Sequence, residues 1–145
     1  MTITIEKIFR FDAGHRALGF NYHKEEAIHG HTWTLRIVLA TDKELGSGKT
    51  IMDTNDLALA VKPIIARVDH SFIIWDADPI YAAMRALCEE ADILDQLTTV
   101  DFNPTLEGMA EYFYRQCNEA LSLTDCRIAR VELEATATLR ATYTP

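Results

Sequence analysis

Apolar side chains recur at every second position where the chain begins. Ile3, Ile5, Phe9 and Phe11 would share one face of a β-strand, with an irregularity expected around Lys7 and Ile8. The segment from Leu18 to Ala27 has no such period and carries Lys24-Glu25-Glu26, so it reads as a loop. From Thr32 to Thr41 the alternation is strict. Trp33, Leu35, Ile37 and Leu39 fall on one side and Thr34, Arg36, Val38 and Ala40 on the other, the pattern of a long, half-buried strand. In Asp42 to Thr50, the Gly48-Lys49-Thr50 triplet suggests a phosphate-binding loop. That motif needs a glycine where Lys43 stands and a helix where Ile51-Met52 reads as strand, so a glycine-rich hairpin turn is expected instead.

The pattern then changes to a helical period. Asp53, Thr54 and Asn55 offer N-caps for a helix whose apolar face is Leu57, Val61, Ile64, Ile65 and Val68. Pro63 within it predicts a kink or a later start. This helix ends at Asp69-His70, before the apolar run Phe72 to Trp75. A second helix is expected from Pro79 to Ala91, then Ile93-Leu94 and a short strand Thr98 to Val100. Asn103-Pro104 reads as N-cap and first residue of a third helix with the stripe Met109, Ala110, Phe113, Cys117, Ala120 and Leu121. Two strands close the chain, Ile128 to Ala135 and Thr138 to Tyr143. Strand pairs flanking helices, without regular βαβ alternation, predict an α+β domain over residues 1–145, an antiparallel sheet with helices on one face.

Composition narrows the partners. A net charge of -8 with no clustered Lys and Arg argues against nucleic acid. No apolar run approaches the roughly 20 residues that span a bilayer. Met1 to Glu6 enters strand alternation directly and lacks the regions of a signal peptide, so a cytoplasmic location is expected. Cys88, Cys117 and Cys126 are odd in number and lack C-x-x-C spacing, and they read as reduced, mostly packed thiols.

The chemistry-bearing stretch is Ile28-His29-Gly30-His31-Thr32-Trp33. In a strand, His29 and His31 project the same way, and His15, at the end of the first strand, supplies a third donor if the strands pair antiparallel. Three nitrogen donors with one open position form a catalytic zinc site. Asp69-His70 has two readings, a histidine closing a helix at the negative end of its dipole or a functional pair. Glu25 likewise reads as a solvated loop acid or as a site residue.

Taken together, Phe11-x-Ala13-x-His15-Arg16, His29-Gly30-His31, Met52-Asp53 with Asp56-Leu57, Val68-Asp69-His70, Asn103-Pro104-Thr105-x-Glu107 and a last strand pair ending in Tyr143 resemble the 6-pyruvoyltetrahydropterin synthase / 6-carboxytetrahydropterin synthase family. The resemblance implies a tunnelling fold whose sheets join into a barrel in a homohexamer of two stacked trimers, with active sites at subunit interfaces. It implies Zn2+ held by His15, His29 and His31, a pterin substrate bound at Thr105 and Glu107, and Asp69-His70 as the pair that tunes the catalytic base. Two positions depart from the family. Where its catalytic cysteine is expected, four residues before the H-G-H motif, this chain has Glu25, with Glu26 as a stand-in. A glutamate subgroup is associated with cleaving 7,8-dihydroneopterin triphosphate to 6-hydroxymethyl-7,8-dihydropterin. Where a pterin-holding glutamate is expected, Ala135 stands, and Glu134 would have to be turned inward by a bulge. The leading expectation is therefore a zinc-dependent pterin lyase using Glu25. The alternatives are the standard 6-carboxytetrahydropterin synthase of the queuosine pathway or its pyruvoyl relative, a non-catalytic pterin- or purine-like-ligand binding protein, and a purely structural oligomer.

Overall fold

The computed structural model describes residues 2–21 and 24–145. In chain order its elements are β1 (Ile3–His15), β2 (His29–Thr41), α1 (Thr54–Val68), β3 (Ser71–Trp75), α2 (Tyr81–Glu90), a 3-10 turn (Leu94–Gln96), β4 (Leu97–Val100), α3 (Leu106–Ala120), β5 (Arg127–Thr136) and β6 (Leu139–Tyr143). The strands form one six-stranded sheet in the order β4-β3-β1-β2-β5-β6. Its larger part, β1-β2-β5-β6, is antiparallel as the sequence predicts. The expectation of a wholly antiparallel sheet is corrected at one side, where β3 runs parallel to β1 and β4 parallel to β3.

β1 and β2 pair without interruption from Ile3 opposite Thr41 to His15 opposite His29. The irregularity expected at Lys7 and Ile8 is absent. Lys7 keeps its turn on the inward face, half-buried, because a lysine stem can cover apolar surface while its charge stays in water; Ile8 points outward, 44% exposed. β2 also begins three residues earlier than its hydrophobic pattern, since His29, Gly30 and His31 carry no apolar signal and are recruited by pairing with β1. The hairpin expected at Asp42 to Thr50 is not formed. Both edges of β2 are already taken, by β1 and β5, so the chain turns at Gly46–Lys49 (Lys49 N–H to Gly46 O, 2.9 Å) and enters α1. Ile51 and Met52 pack against the core instead of forming a strand.

One face of the sheet carries Phe11, Trp33, Leu35, Ile37, Leu39, Val131 and Leu133, and α1 and α3 cover it with Leu57, Val61, Val68, Met109, Phe113 and Cys117. Complete burial of each large side chain contributes about 1.5–3 kcal/mol. Phe11 lies against Trp33 (centroids 6.0 Å) and Phe113 (5.4 Å). Ala120, assigned to the stripe of α3 from the sequence, is exposed. α1 is capped by Asp53, whose carboxylate accepts from Asn55 N–H (2.8 Å), and runs through Pro63 on its exposed side. α2 starts at Tyr81, because the buried Asp78 takes up the backbone N–H of Ile80 (2.9 Å) in a turn ahead of it.

The start of α3 also differs from expectation. Thr105, not Asn103, is the N-cap, its hydroxyl accepting from Gly108 N–H at 3.0 Å. Asn103 is engaged elsewhere: its carboxamide accepts from Leu18 N–H (2.9 Å) and donates to Leu18 O (2.8 Å). Cys88 and Cys117 are buried and Cys126 half-buried, all as free thiols; burial pushes the Cys117 thiol up to about 12. Among the described residues no helix is long and apolar enough to cross a membrane.

A Cβ on Gly108 would stand 2.9 Å from Asn103 O and 3.0 Å from the Phe102 ring. Alanine normally stabilises a helix interior over glycine by about 1 kcal/mol. Here Gly108→Ala should instead destabilise the chain by about 1–3 kcal/mol in urea unfolding, because backbone cannot yield as a side chain does.

Candidate metal centre

The β1–β2 register sets His15 opposite His29 and Ala13 opposite His31, all on the core-facing side of the strands. His29 Nε2 lies 3.1 Å from His15 Nε2 and 3.1 Å from His31 Nε2. Backbone carbonyls orient two of the rings: His15 Nδ1 is 2.8 Å from Pro104 O and His29 Nδ1 is 2.7 Å from Ala27 O. A carbonyl only accepts, so each Nδ1 carries the proton and each Nε2 presents a lone pair to the cluster. Trp33 lies against His15 and His31, with centroids 5.0 and 5.1 Å apart, and its indole N–H donates to Ala13 O.

Lone pairs facing each other at this separation repel unless a cation lies among them. A proton is a poor candidate at His15, whose pKa is lowered to about 4, chiefly by burial and further by the neighbouring His29 and His31, against an opposing hydrogen bond to Pro104. Burial and His29 lower that of His31 as well. Tetrahedral zinc with bonds of about 2.0–2.1 Å has ligand-to-ligand edges of about 3.3 Å, close to the spacings here. The donor set therefore fits a zinc ion. Its chemistry at such a centre is Lewis-acid polarisation of a bound oxygen.

Glu25 joins this cluster. Its carboxylate stands 3.7 Å from His29 Nε2, and its oxygen and the three imidazole nitrogens lie within 4.8 Å of one another. Backbone bonds bring it there: Ala17 N–H donates to Glu25 O (2.9 Å) and Ala27 N–H to Lys24 O (3.3 Å), folding the loop back on the end of β1. Asn103 grips the same loop through Leu18, while its neighbour Pro104 holds His15. Glu26 takes a different part, accepting from Gly19 N–H at 3.1 Å.

Asp69 and His70 are not part of this cluster. They form a second one with Asp12. Asp69 accepts from Asp12 N–H (3.0 Å) and from His70 Nδ1 (3.0 Å), and His70 N–H donates to Asp12 O (2.6 Å). The backbone bond from Asp12 is the main cause holding the Asp69 carboxyl below its ordinary range. Thr32 donates to the Asp12 carboxylate at 2.5 Å. His70 sits in the left-handed region at φ 56, a conformation costly for a non-glycine residue. Its ring is exposed, and with His31 it lines an open cleft of about 350 Å³.

The other sequence candidates lie apart. Thr105 spends its hydroxyl on the α3 cap, next to Pro104. Glu107 is exposed and lines a cleft of about 360 Å³ between α3 and β6 with Arg140 and Tyr143. β5 does carry a register shift between Glu134 and Thr136, yet it does not turn Glu134 inward. Glu134 stays with Arg36 (3.7 Å) and Arg140 on the far face, and the buried side chain is Ala135. A cleft of about 620 Å³ beside β4 and α3 contains none of the candidate catalytic or metal-ligating residues. Sequence reasoning missed Asp12, Thr32, Asn103 and Pro104 as supports. Much of their work is done by backbone atoms or by partners far along the chain, which no local motif records.

A family model described as 6-pyruvoyl tetrahydropterin synthase matches residues 4–145. A relative from Aquifex aeolicus named 6-carboxy-5,6,7,8-tetrahydropterin synthase is 32% identical over 157 residues, covering 96% of this chain and 96% of its own. Among solved structures, an uncharacterized protein from Wolinella succinogenes superposes with TM-score 0.87 at 20% identity, covering 99% of this chain and 98% of that one. A Plasmodium vivax 6-pyruvoyltetrahydropterin synthase, described as a catalytic-residue mutant in which a glutamate is replaced by alanine, superposes with TM-score 0.72 at 12% identity, covering 99% and 97%.

The depressed pKa of His15 has a measurable consequence in the metal-stripped chain. Between pH 6.5 and about 4 the unfolded chain binds a proton at His15 that the folded chain refuses. Stability should therefore fall as pH is lowered through that window, by an amount on the order of 3 kcal/mol, and this group should add no further loss below it. Urea unfolding across the window reads this, and His15→Gln should remove that part of the slope.

Proposed function

We propose that this chain, which belongs to the 6-pyruvoyl tetrahydropterin synthase family, is a cytoplasmic, zinc-dependent lyase that cleaves the side chain of 7,8-dihydroneopterin triphosphate or a related dihydropterin to give 6-hydroxymethyl-7,8-dihydropterin. The family's enzymes are lyases acting on pterin side chains, and they use a metal. The observation that carries the finer reading is the carboxylate of Glu25 beside three imidazole nitrogens, in a cluster that holds no thiol among the described residues. The description of a glutamate as a catalytic residue in the Plasmodium vivax relative supports a carboxylate in this part.

In this reading His15, His29 and His31 hold zinc, which when bound would polarise the substrate's side-chain hydroxyls. Glu25 accepts the proton of the 2′-hydroxyl as the C1′–C2′ bond breaks. C2′ leaves as the aldehyde of the two-carbon fragment that carries the triphosphate, the electron pair left on C1′ is taken up by the conjugated ring, and a proton returned to C1′ completes the hydroxymethyl group. Asp69 keeps His70 oriented as the group that handles this second proton. Thr105 and Glu107 bind the pterin ring. With Ala135 in place of a second acid, one charge-assisted contact worth about 1.5–3 kcal/mol is missing, and Glu107 carries ring recognition alone.

The exposed ring of His70 and the unpaired outer edge of β6 support a homohexamer in which a neighbouring chain covers the pair. A second reading, 6-carboxytetrahydropterin synthase, is favoured by the name of the Aquifex aeolicus relative.

The test is a product assay of zinc-loaded protein with 7,8-dihydroneopterin triphosphate, products being identified by mass. The 6-hydroxymethyl product is expected, and a 6-carboxy product would give the second reading its place. Glu25→Gln should lower turnover by 100-fold or more, within the about 10²–10⁴-fold that general-base catalysis supplies. His29→Ala should lose stoichiometric zinc while remaining folded; retained zinc would sink the triad.

A further inference from the structure

Glu25 has a second capacity in the same cluster, and it rests on the reading of His15, His29 and His31 as a zinc site. We infer that Glu25 is a fourth metal ligand in the resting protein, closing the site until a substrate oxygen displaces it.

The argument is one of charge and spacing. Among the described residues, Glu25 is the sole acidic member of the cluster, and its oxygen lies within 4.8 Å of all three imidazole nitrogens. The hydrogen bond from His29 Nδ1 to Ala27 O (2.7 Å) leaves the Nε2 of a neutral ring as a lone pair toward that oxygen. A neutral His29 and the Glu25 carboxylate thus face each other as two acceptors at 3.7 Å, an arrangement that a metal cation between them would stabilise. The spacing to His29 exceeds a tetrahedral edge by about half an ångström and no separation in the cluster exceeds one by more than about 1.5 Å, a movement within reach of a carboxylate whose side chain is 41% exposed. The backbone does not need to follow, since Ala17 N–H already holds Glu25 O at 2.9 Å. A centre of three histidines and one carboxylate is closed, whereas a catalytic centre keeps a position open. Displacement by a hydroxyl of the substrate reconciles the two: it opens the coordination position and frees the carboxylate beside the oxygen whose proton it is to accept. The group that guards the metal is thereby delivered as the base only when a substrate is present.

The experiment measures metal binding and needs no turnover. Metal-stripped wild type and Glu25→Gln are titrated with zinc against a chromophoric chelator, with circular dichroism confirming the fold. Loss of a supporting partner to a ligand weakens metal binding by about 10–100-fold, and loss of an anionic ligand should reach about 100-fold or more. A Kd within threefold of wild type overturns the inference. Glu25→Cys supplies a second, direct reading if the glutamine variant does not fold. Loaded with Co2+, it should show a thiolate-to-cobalt charge-transfer band that is missing in the wild type, whose three cysteines lie outside the cluster. No such band overturns the inference. The outcome is separable from the proposed reaction. Unchanged zinc affinity with lost turnover removes the ligand and keeps the base, while weakened affinity with turnover retained at saturating zinc does the reverse.

Discussion

The uninterrupted pairing of β1 with β2 is the constraint from which the rest of the molecule follows. Thirteen consecutive residue pairs hold without a bulge, so the parity of every side chain is fixed from Ile3 to His15 and from His29 to Thr41. The same parity that turns Phe11, Trp33, Leu35 and Ile37 toward α1 and α3 turns His15, His29 and His31 the same way. A one-residue slip of β2 against β1 would turn His29, His31 and Trp33 to the face opposite His15 together. Stability of the core and geometry of the cluster are thus one property of one register. Gly14 and Gly30, opposite each other at the end of the pair, belong to it: a Cβ on Gly14 would meet the Phe72 ring at 2.9 Å, and one on Gly30 would meet Ala13 O at 3.3 Å.

A second constraint comes from the turn into α3. Over Asn103, Pro104 and Thr105, the chain holds Leu18 by a pair of hydrogen bonds, orients His15 through a carbonyl, and caps the helix. Three requirements of the site are met by three adjacent residues: the loop with Glu25 is anchored, the tautomer of His15 is set, and α3 is started. Asp12 plays the matching part for the second cluster, its N–H and C=O both engaged by Asp69 and His70. The strained backbone of His70 persists because those bonds over-determine it.

The sequence made much of this legible. Period-two alternation located β1 and most of β2, period 3.6 located the apolar faces of α1 and α3, and the H-x-H spacing with His15 predicted a cluster that the fold does assemble. What it did not reveal shares a physical cause. Asn103 and Thr105 are equally good N-caps in isolation, and the choice is made by Leu18, far away in the chain. The first residues of β2 are polar, so only their partners in β1 make them strand. The hairpin after β2 is excluded by β5, which the chain has not yet reached at that point. Addition of β3 and β4 as parallel strands depends on α2 crossing between them, and periodicity says nothing of direction. Glu134 is the opposite case: β5 does carry the irregularity that an inward turn would need, but the Arg36 and Arg140 guanidinium groups hold the carboxylate on the far face.

The exchange of thiol for carboxylate changes what the surrounding residues have to do. A thiol with a reference pKa about four units above that of a carboxyl needs a neighbour to ionise it at neutral pH. A carboxyl does not. In the proposed reaction a dyad such as Asp69-His70 is therefore released from activating the base and is left to deliver a proton. The cost is base strength, because a weaker base takes a proton only from a group made more acidic or held very close. That condition suits a hydroxyl proton better than a proton on carbon, which argues for bond cleavage started at the side-chain oxygen. In the proposed reaction the carboxylate of Glu25 thus selects the bond that breaks, and β1, β2 and the α3 turn hold it beside the three histidines.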